Sequence, residues 1–202
     1  MVTVYCLDIS KVNRDEEAWL YANASPERRA RAKIFRKREG ALRCLAGEAL
    51  LRCALGTEDY TLERHKAGKP RVRGREDFHF NISHAGNWVV LAFGNTPVGV
   101  DVEVHRARLP IRRFSARFYA PEEQNFVGSD AGRFLQVWTG KESFLKYLGS
   151  GIDRKLSSFS VFSLPEGVRL HWRRLAEGCC LCLCTSEENF CLEMRDIRSL
   201  QS

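Results

Sequence analysis

Between positions 98 and 104 the chain reads Val98-Gly99-Val100-Asp101-Val102-Glu103-Val104, and this alternation constrains the fold more than any other stretch. Side chains on a β-strand point to opposite faces with a period of two. The four valines therefore share one face, suited to burial, and Gly99, Asp101 and Glu103 share the other. On an extended strand the two acidic Cα atoms stand roughly 7 Å apart, a separation that side chains can close around one cation. Acidic residues are poor strand formers, so a pair of them asks for a reason. Taken alone, such a D-x-E is more often an ordinary half-exposed strand with a solvated face.

A third carboxylate gives the pair more weight. The pattern predicts a helix over 132–148, ended by Gly149-Ser150-Gly151, and it contains Lys141-Glu142-Ser143-Phe144-Leu145-Lys146. Glu142 lies four residues after Trp138 and four before Lys146, so the three share a helix face bordered by Leu135 and Leu145. That turns Glu142 inward. Asp101, Glu103 and Glu142 together would make the hard, oxygen-rich site that Mg²⁺ prefers and Mn²⁺ also accepts. The competing reading is a surface Glu142–Lys146 pair of the common i, i+4 kind, worth tenths of a kcal/mol.

Elsewhere the pattern mixes strands and helices. Strands are predicted over 2–9, 78–83, 88–93, 98–104, 159–162, 168–172, 179–184 and 190–194, with helices around 16–21, 114–119 and 121–126. Ser25-Pro26-Glu27 reads as a helix start: serine caps the free amides, proline is tolerated in the first turn, and glutamate suits the positive end of the dipole. That helix is expected to run to Leu55, with Gly40 a weak point and Ile34, Leu42, Leu45, Ala49 and Phe35 on its core stripe.

The net charge of +7 favours polyanionic partners but does not choose among nucleic acid, acidic protein surfaces and phosphorylated small molecules. Three features offer phosphate contacts. Arg28 and Arg31 stand three apart on the early helix, Lys69 sits in a Gly68-Lys69-Pro70 loop, and Ser83 and His84 close a strand in which Phe78, Phe80 and Ile82 alternate with polar residues. Each also has a plain reading, as a solvated basic face or a capped turn. Of the eight cysteines, five fall between Cys179 and Cys191, where Cys180, Cys182 and Cys184 alternate with leucines, and they are read as reduced, core-filling thiols. No run of apolar residues is long enough for a membrane span and no secretory signal is evident, so a cytoplasmic protein is expected.

In chain order, Gly68-Lys69-Pro70, Phe80-Asn81-Ile82-Ser83-His84, Gly99-Val100-Asp101-Val102-Glu103 and Trp138-Thr139-Gly140-Lys141-Glu142-Ser143-Phe144-Leu145-Lys146 resemble the surfactin-type (Sfp-like) 4′-phosphopantetheinyl transferases. The Ser25-Pro26-Glu27 start and Phe118-Tyr119-Ala120-Pro121-Glu122-Glu123 also match, so the resemblance covers about residues 25–151. It implies an α+β fold of two similar halves related by a pseudo-twofold axis, divided as 1–97 and 98–202, in a monomer. It further implies coenzyme A as co-substrate in the cleft between the halves and an apo acyl or peptidyl carrier protein as partner, the phosphopantetheine arm passing to a carrier serine as 3′,5′-ADP leaves.

By the same resemblance, Asp101, Glu103 and Glu142 would hold Mg²⁺, Glu142 would be the base with Glu103 its competitor, and Lys146 would stabilise or protonate the leaving group. Arg28, Arg31, Arg43, Lys69, Ser83, His84 and Lys141 would contact the phosphates. Residues 114–126 would border the carrier site. Other readings explain less, and an inactive relative that only binds carriers would require the loss of a key group, whereas none is missing. A metal-dependent phosphohydrolase explains the carboxylates but not the Ser83-His84 strand or the Gly-Lys-Pro loop. A basic nucleic-acid-binding module explains the charge but gives no reason for three carboxylates.

Overall fold

The computed structural model describes residues 1–64, 68–149 and 156–201. The elements in order are β1 (Val2–Asp8), α1 (Arg14–Asn23), α2 (Pro26–Ala32), α3 (Arg38–Leu55), β2 (Leu62–Arg64), β3 (Pro70–Val72), β4 (His79–Ala85), β5 (Trp88–Gly94), β6 (Val98–Val104), α4 (Ile111–Phe118), α5 (Pro121–Val127), α6 (Ala131–Leu148), β7 (Arg169–Ala176), β8 (Cys179–Thr185) and β9 (Phe190–Arg195). The first sheet runs β4-β5-β1-β9 and a second runs β6-β8-β7.

The chain repeats itself. A strand (β1 or β6), a set of helices ending in an 18-residue helix (α3 or α6) and a hairpin (β4-β5 or β7-β8) follow one another twice. The sheet order repeats as well, β4-β5-β1 in the first half and β7-β8-β6 in the second. Each long helix stops at a left-handed glycine, Gly56 or Gly149, where a side chain would be strained. This is the expected α+β pairing of two similar halves. Among the described residues the β2-β3 hairpin has no counterpart in the second half, and β9, late in the chain, returns to pair in parallel with β1 at the edge of the first sheet.

The valine face of β6 is buried as its period demands. Val98, Val100 and Val102, with Leu181 and Leu183 from β8, meet Val2, Val4, Cys6, Val90 and Ala92 from the first sheet. The two sheets thus pack back to back, α3 covers the outer face of the first, and α6 lies over the second. Register then places Cys184, Cys182 and Cys180 opposite Gly99, Asp101 and Glu103, on the face beneath α6. All eight cysteines are unpaired thiols.

Strand β6 is an edge strand, yet its free edge is closed by side chains. Val98 O accepts from Lys69 Nζ at 2.7 Å, Val100 N–H donates to Asn81 Oδ1 at 2.8 Å, Val100 O accepts from Lys146 Nζ at 3.2 Å, and Val102 N–H donates to Ser83 Oγ at 3.4 Å. A bare edge invites pairing with another chain. Here four side chains take that role and bind β4 and α6 to β6.

The helix expected over 26–55 is two helices. Ser25 N–H donates to Glu48 Oε2 at 3.0 Å, whereas 23 residues of unbroken helix would hold those groups roughly 35 Å apart. The chain folds back between 33 and 37 so that α2 packs along α3. Leu42 and Leu45 are buried as predicted and Ala49 packs against the core, but Ile34 is 80% exposed and Phe35 46% exposed. The predicted start survives: Ser25 Oγ accepts from Arg28 N–H, and Pro26 opens the first turn.

The strand predicted over 159–162 does not form. A 3₁₀ turn at Leu156–Ser158 precedes it, and its backbone groups are taken by side chains: Val161 N–H by Glu123 Oε1 and Phe159 O by Lys141 Nζ. The charged connection before Gly68 instead gives the small β2-β3 hairpin. Gly149 ends α6 as predicted, while Ser150 and Gly151 lie outside the described residues. Among the described residues no helix is long and apolar enough to cross a membrane.

Candidate active site

Glycine at position 99 brings the carboxylates of β6 under α6. A methyl group there would overlap the carbonyl oxygen of Ser143 and the amide nitrogen of Tyr147, and would lie 2.9 Å from the carbonyl carbon of Lys146. With hydrogen in its place, the helix backbone rests on the strand. Glu142 and Lys146, on one side of α6, are thereby carried to Asp101 and Glu103.

Asp101 is 5% exposed. Its Oδ1 accepts from Lys146 Nζ at 2.6 Å and from Ser83 Oγ at 2.9 Å, and its buried Oδ2 has no partner. Burial pushes the Asp101 carboxyl up, opposed chiefly by the Lys146 ammonium. Burial also raises Glu142, and the negative charges of Asp101 and Glu103 raise it further. Glu103 is raised in the same way, by burial and then by Asp101, while Arg106 draws it back. Asp101 thus raises both glutamates and Glu103 raises Glu142, which ties the three carboxylates into one electrostatic cluster. Among the described residues no group of three or more His, Cys, Asp or Glu is gathered so as to hold a metal ion; the Lys146 ammonium is the cation on Asp101.

Beside this cluster lies a cavity of about 620 Å³, walled by α2, α3 and β4, and lined among others by Arg28, Arg31, Arg43 and His84. That is a fair size for a nucleotide-like ligand. Burial lowers the His84 imidazole, and Arg43, Lys146 and Arg31 lower it further, so cations from the cavity and from the carboxylate cluster meet at this ring. Arg43 is partly engaged, donating to Gly86 O at 2.7 Å in the β4-β5 turn.

Three residues expected at phosphate are occupied elsewhere. Ser83 Oγ spans Asp101 and the β6 edge. Lys69 Nζ donates to Val98 O and Lys146 O, both at 2.7 Å, joining β6 to the end of α6, and burial pushes its ammonium down to about 8. Lys141 is wholly buried: its ammonium pairs with Glu123 at 2.7 Å and donates to Leu156 O and Phe159 O. Next to Glu142 in sequence, it faces a different side of α6, toward Glu123, Leu156 and Phe159, and its donors are spent on the core. The expectation that Lys141 touches phosphate fails on that geometry.

Sequence reasoning missed the supporting pair at the far end of the cavity. Glu48, 5% exposed, holds the start of α2 through Ser25 N–H and pairs with Arg52, which reaches Asn23 O at the end of α1. This clamp sets the angle at which Arg28 and Arg31 meet the cavity. A Glu–Arg pair four apart on one helix was the available signal, but the pattern is too common to single it out.

Two family models account for most of the chain: "4′-phosphopantetheinyl transferase superfamily" matches residues 97–194, and "4′-phosphopantetheinyl transferase, N-terminal" matches residues 13–96. Among curated proteins, a 4′-phosphopantetheinyl transferase of Bacillus subtilis is 31% identical over 92% of this chain and 93% of its own length. The 4′-phosphopantetheinyl transferase Sfp of Bacillus subtilis (strain 168) is 33% identical over 77% of this chain and 74% of its own. The 4′-phosphopantetheinyl transferase psf-1 of Bacillus pumilus is 40% identical over 70% and 64% respectively.

Proposed function

The chain belongs to the 4′-phosphopantetheinyl transferase superfamily, and from that premise we propose that it moves the phosphopantetheine arm of coenzyme A onto a serine of an apo acyl or peptidyl carrier protein, releasing 3′,5′-ADP. The observation that carries the reading is a cation-lined cavity beside a cluster of three carboxylates, linked along β4, where His84 lines the cavity and the adjacent Ser83 donates to Asp101. Neither hydrolysis nor nucleic-acid binding gains support, since the matched families and relatives are transferases.

Arg28, Arg31, Arg43 and His84 would bind the 3′-phosphate and pyrophosphate, their charge and forked donors fitting phosphate oxygens. Asp101, Glu103 and Glu142 would hold a Mg²⁺ ion, with Mn²⁺ acceptable, once the Lys146 ammonium leaves Asp101. The unpartnered Oδ2 of Asp101 and the raised carboxyls of Glu103 and Glu142 are what a bound cation would relieve. When bound, the ion supplies Lewis-acid neutralisation at the pyrophosphate. Lys146, released from Asp101, then stands where it can stabilise or protonate the departing 3′,5′-ADP.

Glu142 takes the proton of the carrier serine, the nearby cation keeping it ionised as a base must be, and Glu103 is the competing base. We place the functional division at 97/98, with phosphate contacts in residues 1–97 and the metal and catalytic groups in 98–202. The internal repeat supports a monomer, and eight unpaired thiols fit a reducing, cytoplasmic setting.

Mn²⁺ binding followed by electron paramagnetic resonance in the presence of coenzyme A tests the carboxylate assignment apart from activity. Wild-type protein should sequester the ion and Glu103→Gln should lose it. Equal binding by both would remove Glu103 from the ligand set.

A further inference from the structure

We propose that Phe35 is the stacking platform for the purine of coenzyme A, so that the cavity selects a nucleotide rather than any phosphorylated chain; this rests on the transferase reading above. The ring lies in the 33–37 break between α2 and α3, on the rim of the 620 Å³ cavity, with 46% of the residue exposed. A core role does not account for it. The expected helix would have turned this side chain inward, whereas the fold-back leaves it in solvent.

The ring's position is nevertheless defined. A Cβ built on Gly40 would meet Phe35 Cδ1 at 2.6 Å and Cγ at 2.9 Å, so the phenyl ring rests against the first turn of α3 and only glycine leaves room for it. Its remaining surface opens to the cavity that also holds Arg28, Arg31, Arg43 and His84. In 3′-phosphoadenosine the base and the phosphate hang from one ribose. A ligand whose phosphate meets those cations therefore presents its base within reach of the rim.

The other aromatic residues of the cavity are committed. Phe80 is 3% exposed, and Tyr60 is half-buried, packing on the core of the first half. Phe35 is the one of the three that is exposed rather than buried or half-buried. Stacking a base on an aromatic ring contributes roughly 1–3 kcal/mol, about a 5- to 150-fold change in affinity.

Isothermal titration of 3′,5′-ADP against wild type, Phe35→Leu and Phe35→Tyr tests the assignment. The half-exposed position makes both variants compatible with the fold, which matching melting curves would verify. Phe35→Leu, apolar but without a ring, should bind 3′,5′-ADP at least 5-fold more weakly, and Phe35→Tyr should stay within about 2-fold of wild type. Affinity for 4′-phosphopantetheine, which carries no base, should be alike in all three. A Phe35→Leu protein that binds 3′,5′-ADP as tightly as wild type overturns the proposal. Wild type that binds neither coenzyme A nor 3′,5′-ADP overturns the transferase reading itself, a separate result.

Discussion

Substituting Gly99 with alanine should separate the two halves of the carboxylate cluster without touching a charged group. The new methyl would overlap the Ser143 carbonyl oxygen and the Tyr147 amide nitrogen and lie 2.9 Å from the Lys146 carbonyl carbon, all backbone atoms that no rotamer change can clear. Restoring ordinary contact lifts α6 from β6 by roughly 1 Å. Overpacking of this kind costs about 1–3 kcal/mol, or a melting temperature lower by roughly 2–12 °C for a chain of this size. Glu142 and Lys146 ride on α6, and a 1 Å misplacement of catalytic groups costs about 100-fold in rate. Melting curves and the initial rate of carrier modification measure the two effects. Gly47 provides the comparison: a methyl there meets only Ile82 at 3.6 Å and Val89 at 3.9 Å, so Gly47→Ala should melt no lower than wild type. A Gly99→Ala protein with wild-type melting and transfer within twofold of wild type would refute the claim that helix and strand are in backbone contact.

Lys141→Met strands the wholly buried Glu123 and should cost about 3–5 kcal/mol in urea unfolding; a variant of normal stability that binds coenzyme A poorly would instead return Lys141 to the phosphate site. Lys69, held near 8 when folded against 10.5 for an ordinary lysine, gives a pH signature. Below pH 8 both states carry its proton, and between about 8 and 10.5 the unfolded chain keeps a proton that the native state has released. Wild type should therefore gain about 2 kcal/mol relative to Lys69→Met between roughly pH 8 and 10, and a pH-independent difference would contradict the depressed ammonium. Glu142→Gln should nearly abolish transfer while melting as wild type does, and near-normal turnover would remove Glu142 from the mechanism.

Much of this arrangement was legible in the sequence because period two speaks directly about faces. The valines of β6 and the leucines of β8 announced the seam between sheets, and Asp101 and Glu103 were left on the other face with Glu142 above them. Ser25-Pro26 marked the start of α2 because capping is a local event. What escaped was set by distant partners. Nothing in residues 26–55 reveals that Ser25 must reach Glu48, so the fold-back at 33–37 and the exposure of Ile34 and Phe35 went unseen. A lysine in a Gly-Lys-Pro loop and one beside the proposed base look equally ready for phosphate. One closes a strand edge and the other a buried carboxylate, and charge does not tell carbonyl from phosphate. The return of β9 to β1 is likewise a pairing between the two ends of the chain, to which local pattern is blind.

The central claim is group transfer, and intact-protein mass spectrometry tests it most directly. Several purified apo carrier proteins would be mixed with this chain, coenzyme A and Mg²⁺, with EDTA in parallel. The account predicts a gain of one phosphopantetheine mass on the carrier serine, with 3′,5′-ADP released in equal amount and both lost with EDTA. Coenzyme A cleaved by water with every carrier unmodified would contradict it.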